Sequence, residues 1–360
     1  MHKSKHVFFF GDQTTESCID KKHLFGGKGA NLIEMSGLGI PVPPGFVITT
    51  EVCDLFFKNN EILPVDIEQE IEYNLEKLEN RLNLKFGGSN TPLLVSARSG
   101  AMVSMPGMMD SILNIGINEK TIDAIVRNTN NPRFAWNTYR RFIQMYGDVV
   151  KKIPPDAFED ILLKFDDYAS DQINGNYEIN IVNEFAKIYR EYTTTDFPSH
   201  PREQLLESIK AVFRSWHNDR AIEYRKRNNI NNLMGTAVIV QSMVFGNLGN
   251  NSGTGVYFTR DPLTGRNEPY GDFLINAQGE DVVAGARNPE PLSFLKESTF
   301  EIYDQLIKIG EFLERHFKDM QDIEFTFERD KLYILQARSG KRSELSAKKI
   351  AADMVEEGIV

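Results

Sequence analysis

Asp322 and Glu324 stand two residues apart in Asp-Ile-Glu-Phe-Thr, and Gln336 and Arg338 stand two apart in Leu-Gln-Ala-Arg shortly afterwards. Side chains alternate along a β-strand, so each pair shares one face, while Ile323, Phe325 and Phe327 take the other. Two carboxylates and an amide oxygen on a rigid strand suit a hard divalent cation, and a guanidinium is a forked donor for phosphate oxygens. Whether the four groups converge depends on the turn around Arg329, Asp330 and Lys331. The pattern predicts that a turn with an odd number of residues sets Gln336 opposite Glu324 and Arg338 opposite Asp322, whereas a two-residue turn scatters them. A second reading of the same residues is the solvated face of an amphipathic hairpin, with no chemistry at all.

Other segments carry related equipment. Gly26-Gly27-Lys28-Gly29-Ala30-Asn31-Leu32 sets three glycines and a lysine before an apolar helical run ending near Gly37, an arrangement that lets a phosphate approach backbone N–H groups at a helix start. It is not a Walker motif, since that spacing and the Lys-Ser/Thr pair are missing, and an ordinary glycine turn before a helix fits it as well. Arg98 ends the apolar strand Val95-Ser96-Ala97 and offers either a phosphate contact or a plain surface ion pair. Gly249 to Gly255 reads as a flexible turn feeding a strand, able to close over polyphosphate or simply to turn a hairpin. Ser104-Met105-Pro106-Gly107-Met108-Met109-Asp110 is an odd loop for a surface, and a packed core segment explains it better. Arg140 and Arg141 lie on a helical stretch, where arginines are usually solvated. The six histidines are scattered, and no Ser/His/Asp set or nucleophile elbow is present.

These groups need elements to hold them. Val7 to Phe10, Phe46 to Thr49 and Leu93 to Ala97 read as strands among helices, an α/β pattern. Helical periodicity follows through Arg133 to Val149, Phe158 to Tyr168 and Ile179 to Tyr192, then one long helix over Arg202 to Asn228. Ala237 to Phe245, Thr254 to Thr259 and Phe273 to Ala277 read as strands and Tyr303 to Phe317 as a helix before the hairpin. Ser343 to Gly358 reads as a charged helix with no partner of its own, a linker. At 360 residues with 41% apolar content, the chain is long enough for two or three lobes. A net charge of −10 argues against nonspecific nucleic-acid or anionic-membrane binding, so any phosphate site must be local. Cys18 and Cys53 are the only cysteines, giving neither a disulfide framework nor zinc spacing. Apolar stretches fall far short of the roughly 20 residues that span a bilayer, and the expectation is a soluble, cytoplasmic protein.

Together the segments resemble the N-terminal nucleotide-binding domain of the pyruvate phosphate dikinase family. The resemblance rests on the Gly26 to Leu32 and Ser104 to Asp110 segments above, with Ser96-Ala97-Arg98-Ser99-Gly100-Ala101, Arg140-Arg141-Phe142-Ile143-Gln144-Met145-Tyr146, Ser252-Gly253-Thr254-Gly255-Val256, Asn276-Ala277-Gln278-Gly279-Glu280-Asp281-Val282-Val283 and Met320-Gln321-Asp322-Ile323-Glu324-Phe325-Thr326, in order along nearly the whole chain. It implies an ATP-grasp-like fold of class α+β or α/β, two α/β lobes clamping ATP with an inserted helical subdomain. The expected divisions are 1–117 plus 200–240 for the first lobe, 118–199 for the helical subdomain, 241–340 for the second lobe and 341–360 for a linker helix. The resemblance implies Mg2+ as cofactor and ATP as substrate. Asp322, Glu324 and Gln336 would hold the metal, and Lys28, Arg98 and Arg338 would act in catalysis. Lys28, Arg98, Arg141, Gln241, Gly253, Thr254, Gly255, Glu280 and Arg338 would bind the nucleotide. It further implies transfer of a pyrophosphoryl group from ATP, with release of AMP, to a histidine on a swivelling domain absent from this sequence. Phosphate and pyruvate would then be converted to diphosphate and phosphoenolpyruvate. Alternatives are a related dikinase of the phosphoenolpyruvate synthase, water or glucan type, a nucleotide sensor without transfer, and a structural domain. The Met-Pro-Gly-Met-Met-Asp loop favours pyruvate phosphate dikinase over phosphoenolpyruvate synthase. The fragment is expected to be a monomer.

Overall fold

The computed structural model describes residues 5–12, 21–166, 176–231, 233–284 and 288–360. Cys18 and Tyr168 lie outside the described residues. The chain forms two compact units, one comprising the described parts of Met1–Phe10 and Asp20–Ala30 with Pro44–Met243, the other the described part of Gly11–Ile19 with Asn31–Pro43 and Val244–Val360. Asn31–Pro43 joins the second unit, and the expected helical segment 118–199 clusters with the first.

In the first unit, β1 (Val7–Phe10), the part of α1 (Lys22–Gly37) before Asn31, β2 (Gly45–Ile48), α2 (Thr50–Lys58) and α3 (Val65–Leu82) precede the short β3 (Lys85–Phe86) and β4 (Pro92–Leu93). There follow β5 (Val95–Gly100), β6 (Ser111–Ile115), the helices α4 (Glu119–Thr129), α5 (Pro132–Lys151), α6 (Pro155–Asp166), α7 (Asn176–Thr193), α8 (Pro201–Ser215) and α9 (Asp219–Arg227), and β7 (Ala237–Ser242). The five-stranded sheet runs β1-β2-β7-β5-β6 and is antiparallel at every pair. Its central strand β7 opens with the apolar run Ala-Val-Ile-Val, fully buried, as a strand covered on both faces requires. In the helical stretch, Asn118 and Thr121 form a reciprocal capping box at the start of α4, and the Asn131 side chain accepts from Phe134 N ahead of Pro132 in α5. Phe142, Tyr146, Tyr189 and Phe197 pack edge-on and tilted between α5 and α7. The single helix expected over Arg202 to Asn228 is two. Trp216, His217 and Asn218 break it, because the Asn218 side chain turns away to bond Asp110 and a fresh helix starts at Asp219.

The second unit contains β8 (Gly253–Phe258), β9 (Tyr270–Ile275), α10 (Gly279–Ala284), β10 (Glu290–Pro291), α11 (Leu292–Ser298), α12 (Phe300–Phe317), β11 (Gln321–Glu328), β12 (Lys331–Ser339) and α13 (Glu344–Glu356). Its sheet runs β10-β9-β8-β11-β12, again antiparallel throughout. Antiparallel pairing in both five-stranded sheets makes the fold α+β rather than α/β. Strand β9 ends before Ala277 because Asn276 takes a left-handed φ of 51°. Ile323, Phe325 and Phe327 are fully buried on the face of β11 that α12 covers.

The structure corrects the reading of the tail as a helix without a partner. Ile350, Met354 and Ile359 join Met320 in one buried cluster against Phe258. Both ends of α13 are tied to the loop after β8: Ser346 Oγ donates to Pro262 O at 2.8 Å, and Arg260 donates to Glu357 at 2.6 and 3.1 Å. Charge dominates the helix in sequence, but an apolar stripe at positions 350, 354 and 359 supplies the contact.

Candidate functional site

In the first unit the glycine segment and the end of β5 meet. Helix α1 is kinked at Gly26, whose φ of 66° and ψ of 168° are not helical. A Cβ there would lie 1.8 Å from Gly100 O, and Gly27 N donates to Ala101 O at 2.9 Å. Only glycine permits that approach. The contact sets Lys28, on the first turn after the kink, beside the strand that carries Arg98. Arg98 donates to the amide oxygen of Gln241 on the neighbouring strand β7, a contact that follows from the pairing of Ser96 with Gln241 and Arg98 with Ile239. The structure thus joins two residues that the sequence offered separately. Arg141 on α5 donates to Asn137 one turn back at 2.9 Å.

The loop after β5 is anchored by groups that sequence reasoning missed. Asp110 is buried and accepts from Asn218 Nδ2 at 3.2 Å, lies 3.5 Å from Lys152 Nζ, and pairs with Arg220. Arg220 also donates to Met108 O at 3.2 Å. Met105 is buried while Met102 and Val103 are exposed. The available signal was Asn218-Asp219, a helix-start pair in the middle of an otherwise helical pattern.

In the second unit the hairpin turn has two residues, Arg329 and Asp330, with φ of 49° and 61°. Positive φ at both central positions defines the type I′ turn that matches strand twist. Arginine and aspartate tolerate it because the turn is held from outside: Arg329 N donates to Ser252 Oγ and Asp330 N to Asn251 O, each at 3.0 Å. The odd-numbered turn on which convergence was expected to depend is therefore absent. The pairs form nevertheless, because β12 carries one extra residue. The register runs Glu328 with Lys331 through Phe325 with Ile334, then shifts, so that Glu324 faces Gln336 and Asp322 faces Arg338. Leu335 is the inserted residue of this β-bulge. Arg338 Nε donates to Asp322 Oδ2 at 2.8 Å, which confirms the shared face.

The same face continues across the sheet. Thr326 donates to Thr254 Oγ1 at 3.0 Å, and Thr254 to Phe325 O at 3.0 Å. Gly253 and Gly255 lie in the middle strand of the sheet, not in a turn, and look the other way. A Cβ on Gly253 would come 2.5 Å from the ring of Phe327, and one on Gly255 would come 2.7 Å from the ring of Phe325. Those glycines make room for aromatic side chains on the covered face, and Thr254 alone of the three presents a side chain to the polar one. Glu280 is half-buried on α10.

The hairpin face is electrostatically poised. Burial pushes the Asp322 carboxyl above its ordinary range; Arg338 opposes that, and the neighbouring Glu324 adds to it. Among the described residues no group of three or more His, Cys, Asp or Glu side chains is placed to hold a metal ion. Two carboxylates with an amide fit a cation that keeps water and borrows oxygens from a phosphate, as magnesium does. The described residues also include no helix long and apolar enough to cross a membrane.

Two antiparallel sheets, one carrying Arg98 with Gln241 and the other an acidic hairpin face with its own arginine, define an α+β protein. A family model described as "Pyruvate phosphate dikinase, AMP/ATP-binding domain" matches residues 22–65, 60–304 and 298–358, and the chain belongs to that family. It is 48% identical over 355 residues to pyruvate, phosphate dikinase of Clostridium symbiosum, covering 96% of this chain and 40% of the relative. It is 45% identical over 360 residues to the chloroplastic pyruvate, phosphate dikinase of Flaveria trinervia (99% and 38%), and 45% identical over 367 residues to that of Rickettsia typhi (99% and 42%). The chain spans about two fifths of the length of these curated relatives.

Proposed function

We propose that this chain binds ATP with magnesium and supplies the phosphoryl donor of a pyruvate phosphate dikinase. The observation that carries the reading is the bulged hairpin, which lines up Asp322 with Arg338 and Glu324 with Gln336 on one face. In this reading the fold is ATP-grasp-like. Asp322, Glu324 and Gln336 would hold the Mg2+, which would supply positive charge to offset that of the phosphates. Lys28, Arg98 and Arg141 neutralise phosphates, Gln241 and Glu280 contact the adenosine part, and Thr254 with the Gly253 and Gly255 backbone lies along the polyphosphate. Arg338 stabilises charge on the transferring group. A histidine nitrogen on a separate domain attacks the β-phosphorus, the bond from that phosphorus to the bridging α–β oxygen breaks, and AMP leaves carrying that oxygen. Phosphate and then pyruvate take the two phosphoryl groups in turn, giving diphosphate and phosphoenolpyruvate. A cytosolic site of action, with that histidine domain as partner, belongs to the same proposal.

Calorimetric titration with MgATP tests the binding half. Binding that Lys28→Ala and Arg98→Ala each weaken at least tenfold supports the reading; no binding at millimolar nucleotide, or binding that neither change alters, overturns it. Supplying a histidine domain and measuring AMP tests the transfer half. A Glu324→Ala chain that made AMP at the normal rate would remove Glu324 from the metal set.

A further inference from the structure

The segment after the Gly26 kink belongs to the second unit from Asn31 onward and runs along the outer edge of β12. Two of its hydrogen bonds join it to that edge. Asn31 Nδ2 donates to Ala337 O at 2.8 Å, and Ile334 N donates to Pro41 O at 2.9 Å. In a regular strand, residues of opposite parity turn their backbone groups to opposite edges. Positions 334 and 337 differ in parity yet both address the same segment. They can do so because Leu335 is the inserted residue between them, and the two bonds bracket it.

We infer that Asn31 is a positioning residue that fixes where the β12 bulge sits, and through it the alignment of Gln336 and Arg338 with Glu324 and Asp322. The two-residue turn leaves β12 one residue out of phase with the acidic face, so alternation demands an extra residue somewhere before Gln336. Without it Gln336 would oppose Ile323, and the amide would enter the fully buried apolar layer. Alternation alone does not say which position takes the insertion. A bulge placed after Gln336 would set Leu335 opposite Glu324 and lose the amide from the face. The contacts at 334 and 337 remove that freedom. Ala337 separates the two functional side chains, so its carbonyl is the point on the edge from which both are held. The sequence pattern gives no hint of this, since Asn31 sits in a glycine-rich helix start far from the hairpin.

The inference rests on the proposed roles of Gln336 and Arg338, and the test separates the two. MgATP affinity is measured by calorimetry for Asn31→Ala in the native chain and in a chain lacking Leu335. Deleting Leu335 restores a regular ladder in which the two-residue turn itself places Gln336 opposite Glu324. Asn31→Ala is expected to weaken MgATP binding about tenfold in the native chain, the effect of one lost hydrogen bond, and less than about twofold in the deletion chain. Equal losses in both backgrounds, or no loss in the native chain, would overturn the inference. Hydrogen exchange at the amides of residues 332–339 is a second measurement independent of nucleotide. Asn31→Ala should speed exchange there at least tenfold more than it speeds exchange in β9, and unchanged protection of β12 would also overturn the inference. If Gln336→Ala and Arg338→Ala both bind MgATP like the native chain, the site assignment fails, and the exchange result still decides the role of Asn31 in register.

Discussion

Replacing Glu314 by alanine should destabilise the second unit more than any other single truncation around α13. Arg260 is fully buried, and its guanidinium donates to Glu314 Oε1 through Nε at 3.1 Å and Nη2 at 2.7 Å, and to both oxygens of Glu357. Burial works to lower the Arg260 pKa, but the bonds from Glu357 and Glu314 outweigh it and the net direction is upward, so the charge is retained inside. The two carboxylates are not equivalent. The Glu314 side chain is 8% exposed and also accepts from Thr259 Oγ1, whereas that of Glu357 is 32% exposed at the end of α13. Removing one partner of a buried pair leaves an uncompensated charge and costs about 3–5 kcal/mol, while a partly solvated partner is worth about 1–2 kcal/mol. At about 2–4 °C per kcal/mol for a unit of this size, Glu314→Ala should lower the unfolding midpoint by about 10 °C and Glu357→Ala by about 4 °C. Scanning calorimetry at neutral pH reads both. The double change Arg260→Met with Glu314→Leu should recover most of the loss, since apolar replacements of a buried pair often break even. Equal costs for the two glutamates, or a Glu314→Ala loss under about 1 kcal/mol, would show that water solvates Arg260 and would refute the reasoning.

Gly26→Ala should cost about 3 kcal/mol or more, because its Cβ would collide with Gly100 O at a left-handed φ, whereas Gly27→Ala, with a nearest approach of 3.4 Å, should cost less than about 1 kcal/mol; urea unfolding of the pair checks this. Asp322→Asn should leave the nucleotide-free chain as stable or slightly more stable at neutral pH. The raised carboxyl favours a protonated fold, so its ionisation takes stability away as pH rises through the carboxylate range, and the amide removes that loss. The same variant should bind MgATP at least tenfold more weakly, and a clear loss of stability would show that the Arg338 pair outweighs burial. Glu357 has the opposite sign. The hydrogen bond from Arg260 depresses its pKa, so it contributes stability at neutral pH that disappears as pH falls below the ordinary glutamate range, and Glu357→Gln should flatten that part of the pH–stability curve. Cys53, its thiol pushed up to about 12 by burial, should resist alkylation at pH 8 until the chain unfolds, which mass spectrometry of labelled protein will show.

The sequence by itself determined the strands and helices that announce themselves by period and the family to which the order of its motifs points. The run from Ala237 reads as a strand and is one, and the alternation that sets Ile323, Phe325 and Phe327 on one face of their strand matches their common burial. What it left open depends on contacts between segments distant in the chain. The antiparallel pairing of both sheets is one example, since alternation of strands and helices is compatible with either direction. The partner of α13 is another, because a helix dense with charge shows its narrow apolar stripe only against Met320 and Phe258. The break before α9 exists because Asn218 serves Asp110 across the fold. The hairpin shows the division most sharply. Its polar residues are legible from spacing alone, yet spacing with a two-residue turn places Gln336 and Arg338 on the wrong face. Tertiary structure reverses that outcome by inserting Leu335, and the bonds that bracket it come from Asn31 and Pro41, some three hundred residues away in sequence. Register has a period of two, so a single inserted residue decides which face a strand's chemistry occupies, and no pattern confined to the strand records where that residue goes.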